Sequence, residues 1–93
     1  VFLMIEALAA AGVNQGLPLD MAMQLAQATV AGAGALAVRS EESAEQLRIN
    51  VTSPNGTTQA ALEVLMRSDA GLSQLVDQAV SAARQRSQEL SNG

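Results

Sequence analysis

The stretch from Met21 to Val38 reads MAMQLAQATVAGAGALAV, and its only polar side chains are Gln24, Gln27 and Thr29. A helix that is apolar on all sides lies either in a protein core or in a membrane. This stretch is barely long enough to cross a bilayer, it is rich in alanine rather than leucine, and amphipathic helices follow it. The sequence therefore predicts a buried core helix and no membrane partner.

Helical segments flank this stretch on both sides. The preceding segment, Val1 to Ala11, is apolar except for Glu6, and Gly12 is a natural stop signal after it. Pro18 suits the first position of the core helix, because its missing N–H group would be unpaired there anyway. The apolar periodicity, the caps and the turns predict three later helices: Ser43 to about Asn50, about Thr57 to Arg67, and Leu72 onwards.

The two clearest local signals support these later helices. Ser43, with Gln46 three residues later, resembles a capping box. In the last helix, apolar residues recur at steps of three and four: Leu72, Leu75, Val76, Ala79, Val80 and Ala83. The predicted fold class is all-α, with about five helices in an orthogonal or intertwined bundle that is dimeric.

The need for a partner follows from composition. The apolar content is 48%, but Phe2 is the only aromatic residue, and Ala, Leu, Val and Met supply most of the rest. Alanine-rich faces pack closely but bury little area per residue, so such a core stabilises a monomer weakly. We expect residues 1–93 to form one domain with a partner subunit covering its core. The chain begins inside an apolar helix, so we also expect a fragment of a larger protein.

Charge and residue types exclude several functions. The chain has no Cys, His or Lys, and five Arg stand against nine acids, for a net charge of −4. Zinc or redox-metal ligation is therefore not expected, and nucleic-acid binding would need a basic surface. The apolar start lacks the basic flank of a signal peptide, which favours a cytoplasmic location.

Two sets of residues have simple structural interpretations. Gly32 to Ala37 fits the letters G-x-G-x-x-A, but a dinucleotide fingerprint needs a strand before it and a tight turn within it. Because these letters fall inside a helical pattern, we interpret them as small residues for close helix packing. Glu6 is interpreted as lying on a solvent or partner face, and Glu41, Glu42 and Glu45 as a solvated run.

The run Ser53-Pro54-Asn55-Gly56-Thr57-Thr58 turns directly into a predicted helix. The first N–H groups of a helix have no intrahelical partner and lie at the positive end of its dipole, so this site suits a carboxylate or phosphate. The hydroxyls of Ser53, Thr57 and Thr58 have a second explanation, since such residues commonly cap helices. From the residues alone both interpretations remain open.

With Gly16-Leu17-Pro18 upstream and Ala82 to Leu90 downstream, this run resembles the C-terminal helical domain of pyrroline-5-carboxylate reductase, and the resemblance extends from Val1 to Leu90. It implies that the loop holds a substrate carboxylate through backbone N–H groups and the Ser53 hydroxyl. Gly56 corresponds to a loop glycine, and Asn55 stands where the family usually has a second one. Thr57 would offer its N–H group, and the Thr58 hydroxyl would bond the ring nitrogen.

The resemblance implies an enzyme that reduces 1-pyrroline-5-carboxylate to L-proline with NADPH or NADH, as a homodimer or a higher oligomer. This chain would be the C-terminal dimerisation and substrate-carboxylate-binding domain. The cofactor would bind a separate N-terminal domain, so the isolated chain should bind none and be inactive. Two alternatives are the helical domain of another nicotinamide-dependent dehydrogenase and a non-catalytic helical dimerisation module.

Overall fold

The structure, a computed structural model, describes residues 1–92, which form five α-helices and no strand. In chain order they are α1 (Phe2–Asn14), α2 (Leu19–Arg39), α3 (Ala44–Asn50), α4 (Thr57–Leu65) and α5 (Leu72–Asn92). The prediction of an all-α fold with five helices is confirmed. The chain divides into two compact units, Val1–Leu47 and a second that begins at Arg48. The single-domain and intertwined-dimer arrangements stay predictions.

Helices α1 and α2 pack against each other in the first unit. Their contact buries Ala9 from α1 and Ala22 and Ala26 from α2, with Ile5 and Met23 partly buried beside them. These small side chains let the two helix backbones approach closely. The buried core in this unit therefore consists of alanine methyl groups, which remove little apolar area from water.

The end of α1 differs from the sequence prediction. Gly12 does not stop the helix but lies inside it, where a Cβ atom would come within 3.3 Å of the Ala22 Cβ atom. The helix ends instead at Asn14, with Gln15 as its C-cap, and the next residue, Gly16, has a φ of +106°. There Gly16 N–H donates to the Val13 carbonyl and Leu17 N–H to the Gly12 carbonyl, both at 3.0 Å, as in a Schellman motif. Gly12 thus serves packing, while Gly16 ends the helix.

Helix α2 begins one residue later than predicted, because Pro18 is its N-cap rather than its first helical residue. The Pro18 carbonyl accepts the Ala22 N–H at 2.9 Å, and Asp20 lies in the first turn as expected. By length and composition alone, α2 is able to cross a membrane, although core helices of soluble proteins meet the same criteria. Within one copy only Ala22 and Ala26 of α2 are buried. The predicted buried core helix is therefore not achieved by a single chain, because one short neighbour covers only one face.

Local hydrogen bonds explain the later helix boundaries. The Ser43 hydroxyl accepts the Gln46 N–H at 3.1 Å, which confirms the predicted cap of α3. Helix α4 ends at Leu65, two residues before the predicted Arg67, and the Arg67 N–H turns back to the Val64 carbonyl. Helix α4 ends before Arg67 because the chain then makes a tight turn into α5.

Gly71 is the centre of that connection and is buried. A Cβ atom there would lie 2.6 Å from the Leu65 carbonyl oxygen, closer than real Cβ contacts come. Gln74 completes the turn: its Oε1 accepts the Gly71 N–H at 3.1 Å, and its Nε2 donates to the Ser68 carbonyl at 2.7 Å. The start of α5 is thereby held against the end of α4.

Candidate functional site

The segment between α3 and α4 carries the predicted site and is tied to the end of α3. The Thr52 N–H donates to the Ile49 carbonyl at 3.0 Å, and the Thr52 hydroxyl donates to the Arg48 carbonyl at 2.6 Å. These bonds reverse the chain directly before Ser53. The loop that follows is therefore anchored at its first residue.

Ser53 to Gly56 form a tight turn. The Gly56 N–H donates to the Ser53 carbonyl at 3.0 Å. Pro54 occupies the second position, and Asn55 at the third has φ of +61°, which are the features of a type II β-turn. Asn tolerates this left-handed backbone better than most residues with a side chain. The expectation that Asn55 fits the loop is consistent with this geometry.

Gly56 is required by the closeness of the turn. A Cβ atom on Gly56 would lie 3.2 Å from the Ser53 carbonyl oxygen and 3.3 Å from the Ser53 Cβ atom, tighter than nearly all real contacts. Gly56 is also the N-cap of α4, in an extended conformation with φ −90° and ψ −177°. A residue with a Cβ atom would require Ser53 to shift by a few tenths of an ångström.

The start of α4 offers hydrogen-bond donors and no negative charge. No side chain caps this helix, and no acidic residue lies in its first turn. Helix geometry leaves the N–H groups of Thr57, Thr58 and Gln59 without intrahelical acceptors. At the positive end of the helix dipole, these groups attract an anion.

The residues with the predicted site hydroxyls flank or begin α4. Ser53 and Thr57 are exposed and Thr58 is half-buried, and Asn55 is exposed at the tip of the turn. None of the three hydroxyls makes a hydrogen bond to any part of residues 1–92. Capping of α4 therefore does not account for Ser53, Thr57 or Thr58 in this structure. The turn and the first turn of α4 contain all five predicted residues, of which Ser53, Asn55 and Thr57 are exposed and Gly56 and Thr58 are half-buried.

Sequence reasoning missed one residue of this loop, Gln59. Its side chain reaches back along α4, and Oε1 accepts the backbone N–H of Asn55. A signal for it existed: Gln59 lies three residues after the N-cap Gly56, where the second residue of a capping box stands. Because the cap itself is glycine instead of Ser or Thr, the sequence does not predict a full capping box there.

The other sequence candidates lie elsewhere. Gly32 and Gly34 are inside the continuous helix α2, so the segment to Ala37 lacks the turn of a dinucleotide fingerprint. A Cβ atom on either glycine would meet nothing within 4 Å, so the packing interpretation finds no partner within one copy. Glu6, Glu41, Glu42 and Glu45 are exposed. No cluster of three or more metal-ligand side chains occurs in the described part of the chain.

Comparison with known proteins identifies the family. The sequence model described as pyrroline-5-carboxylate reductase dimerisation matches residues 1–90. The chain belongs to this family. A pyrroline-5-carboxylate reductase of Synechocystis is 48% identical over 90 residues, which cover 97% of this chain and 33% of that protein. The resemblance predicted from the Ser53 to Thr58 run is confirmed.

Solved structures of reductases in this family have the same fold. A pyrroline-5-carboxylate reductase from Coxiella burnetii matches with a TM-score of 0.88 and 43% identity, over 96% of this chain and 32% of that one. A pyrroline carboxylate reductase from Plasmodium falciparum with NADP bound matches with a TM-score of 0.86 and 32% identity, over 92% of this chain and 32% of that one. This member of the reductase dimerisation family thus spans about a third of the length of its relatives.

Proposed function

We propose that this chain is the dimerisation and substrate-binding domain of a pyrroline-5-carboxylate reductase, which reduces 1-pyrroline-5-carboxylate to L-proline with NADPH or NADH. The observation that carries the proposal is the Ser53–Gly56 turn, which opens α4 with free donors and no acid. Its location in a chain that matches the reductase family over residues 1–90 favours this substrate over another small anion.

The chemistry requires little from this chain. The N–H groups at the start of α4 and the Ser53 hydroxyl bind the substrate carboxylate, and the Thr58 hydroxyl, in the first turn of α4, bonds the ring nitrogen. With both groups held, the imine carbon has a fixed position, which favours hydride transfer by orientation alone. This role needs no His, Cys or Lys, and the chain has none.

The hydride comes from a nicotinamide cofactor held outside this chain. Residues 1–92 contain no strand followed by a glycine turn and a helix, the unit that holds a dinucleotide pyrophosphate. Ser53, Asn55 and Thr57 are exposed, and we propose that the cofactor domain forms the rest of the substrate pocket. We propose that the protein acts in the cytoplasm, without a membrane or nucleic-acid partner.

The chain supplies the homodimer interface. The large apolar side chains of α2 are exposed in one copy, with Val38 at 86% and Leu19 at 65%. The apolar residues of α5 are exposed as well. A second copy that covers these faces would bury the area that a stable dimer needs. Such dimers could associate further into larger rings.

The test compares the full-length parent protein with the isolated chain. The full-length protein should oxidise NADPH or NADH when 1-pyrroline-5-carboxylate is added, and proline should accumulate. The isolated chain should show neither turnover nor a heat signal on titration with NADPH, because it lacks a pyrophosphate-binding turn. Full-length protein that reduces a different substrate, or none, would contradict the proposal. Micromolar NADPH binding by the isolated chain would mean that Gly32 to Ala37 has been misinterpreted.

A further inference from the structure

Glutamine occupies the same position at the start of two helices of the second unit. Gln59 and Gln74 are each three residues after the residue that precedes their helix. Gln74 accepts the N–H of that preceding residue, Gly71, as in one half of a capping box. Gln59 reaches one residue further, to the N–H of Asn55 rather than Gly56. The Gln59 side chain therefore bonds a residue of the turn and not the N-cap residue of α4.

The residue contacted by Gln59 is the strained one of the turn. Asn55 has φ of +61°, and it is the only residue other than glycine with positive φ in the described chain. A left-handed conformation is costly for residues with a Cβ atom. Gly56, the next residue, already donates its N–H to Ser53. The hydrogen bond between the Asn55 N–H and the Gln59 side chain is therefore a second restraint on the turn, and it acts at the residue with the left-handed backbone.

We propose that Gln59 is a positioning residue for substrate binding: its side chain holds Asn55 left-handed, and so keeps the Ser53 hydroxyl close to the free N–H groups of α4. This inference rests on the proposed function of that loop. Gln59 itself touches no reacting atom in this scheme. Its effect reaches the substrate only through the shape of the turn.

The test uses the full-length enzyme with Gln59→Met and the matched control Gln74→Met. Methionine has a similar length but lacks a strong acceptor, and both substitutions remove a hydrogen bond at a helix start. One such bond is worth about 1 kcal/mol, so Gln59→Met should raise the KM for the imino acid about 5-fold. The kcat and the KM for the nicotinamide cofactor should stay within twofold. Gln74→Met should lower the melting temperature but leave both KM values unchanged.

A second background shows whether the left-handed residue is the link. Glycine adopts positive φ without strain, so Asn55→Gly should make the turn less dependent on Gln59. In the Asn55→Gly background, adding Gln59→Met should change the KM for the imino acid less than twofold. This comparison still tests the positioning role if the Gln59→Met single variant folds poorly.

The outcomes separate this inference from the proposed function. If Ser53→Ala and Thr58→Val raise the KM for the imino acid but Gln59→Met does not, the hydrogen bond of Gln59 has no role in substrate binding and the positioning role is wrong. The positioning role would also be wrong if Gln59→Met raised the KM for the imino acid by the same factor with and without Asn55→Gly. If neither Ser53→Ala nor Thr58→Val affects catalysis, the substrate-binding role of the loop fails, and the positioning role fails with it.

Discussion

At the scale of residues, the hydroxyls of Thr58 and Ser53 are the most informative groups. Thr58 is half-buried in the first turn of α4, and neither hydroxyl has a partner within residues 1–92. The described residues contain no buried side-chain oxygen or nitrogen without a hydrogen-bond partner, so both hydroxyls are accessible to water or to a ligand. The proposed ligand is the nitrogen of the cyclic imine for Thr58 and the carboxylate for Ser53.

We expect Thr58→Val in the full-length enzyme to lower kcat/KM by about 10- to 150-fold, because a hydrogen bond to a charged group is worth about 1.5–3 kcal/mol. Valine keeps the shape of threonine and removes only the hydroxyl. Steady-state kinetics with the imino acid as the varied substrate measures this effect, and the melting temperature of the variant is its control. Unchanged kinetics with normal folding would contradict the assignment of Thr58.

Ser53→Ala should reduce kcat/KM less than Thr58→Val, because the N–H groups of α4 would still bind the carboxylate. A purely capping role predicts a different result, a loss of about 0.5–2 kcal/mol of stability with normal turnover. Thermal melting and kinetics of the same variant separate the two roles. A variant that melts lower but works normally would place Ser53 in the scaffold instead of the site.

At the scale of elements, the connection between α4 and α5 depends on one glycine. Gly71 is buried, and a methyl group there would meet the Leu65 carbonyl 2.6 Å away. Backbone atoms move less readily than side chains, so the two helices would have to separate. The start of α4, and with it the Ser53–Gly56 turn, belongs to this same unit.

Gly71→Ala should therefore destabilise the chain by about 1–3 kcal/mol, the range for overpacked sites. Ser68→Ala, in the same turn, is the matched control. Its side chain is exposed, and the carbonyl that accepts from Gln74 belongs to the backbone. Chemical denaturation of both variants measures the difference. If both variants are as stable as the original chain, the prediction is wrong and the close packing at Gly71 does not contribute to stability.

At the scale of the whole molecule, exposed apolar surface dominates one copy of the chain. Ala9, Ala22 and Ala26 are the buried apolar residues of the described part, whereas Phe2 is 84% exposed and Val80 is 62% exposed. Soluble monomers rarely expose large contiguous apolar patches, and such patches mark interaction surfaces. We therefore propose that another copy of the chain covers these side chains.

We expect the chain to be an obligate dimer whose interface buries more than roughly 2,000 Å², the size typical of permanent partners. Sedimentation equilibrium at low micromolar concentration should give the dimer mass, and unfolding should depend on protein concentration. A folded, stable monomer under these conditions would contradict the prediction. Partition into detergent or lipid instead of dimerisation would favour the membrane alternative for α2.

Local patterns in the sequence determined the helices of this protein. The periodicity of Leu72 to Ala83 and the Ser43 cap predicted α5 and the start of α3, because both features act between residues a few positions apart. The donor-rich loop from Ser53 to Thr58 was also recognisable, since the start of a helix has the same free N–H groups in every protein.

Only the tertiary structure decided which glycines and glutamines matter. Gly12 looked like a helix stop but serves as a contact for Ala22, and Gly71 lies against the Leu65 carbonyl. The restraint of Asn55 by Gln59 likewise depends on how far a side chain reaches once the turn has formed. These roles arise from distances between atoms after packing, and residue type and spacing along the chain do not specify such distances.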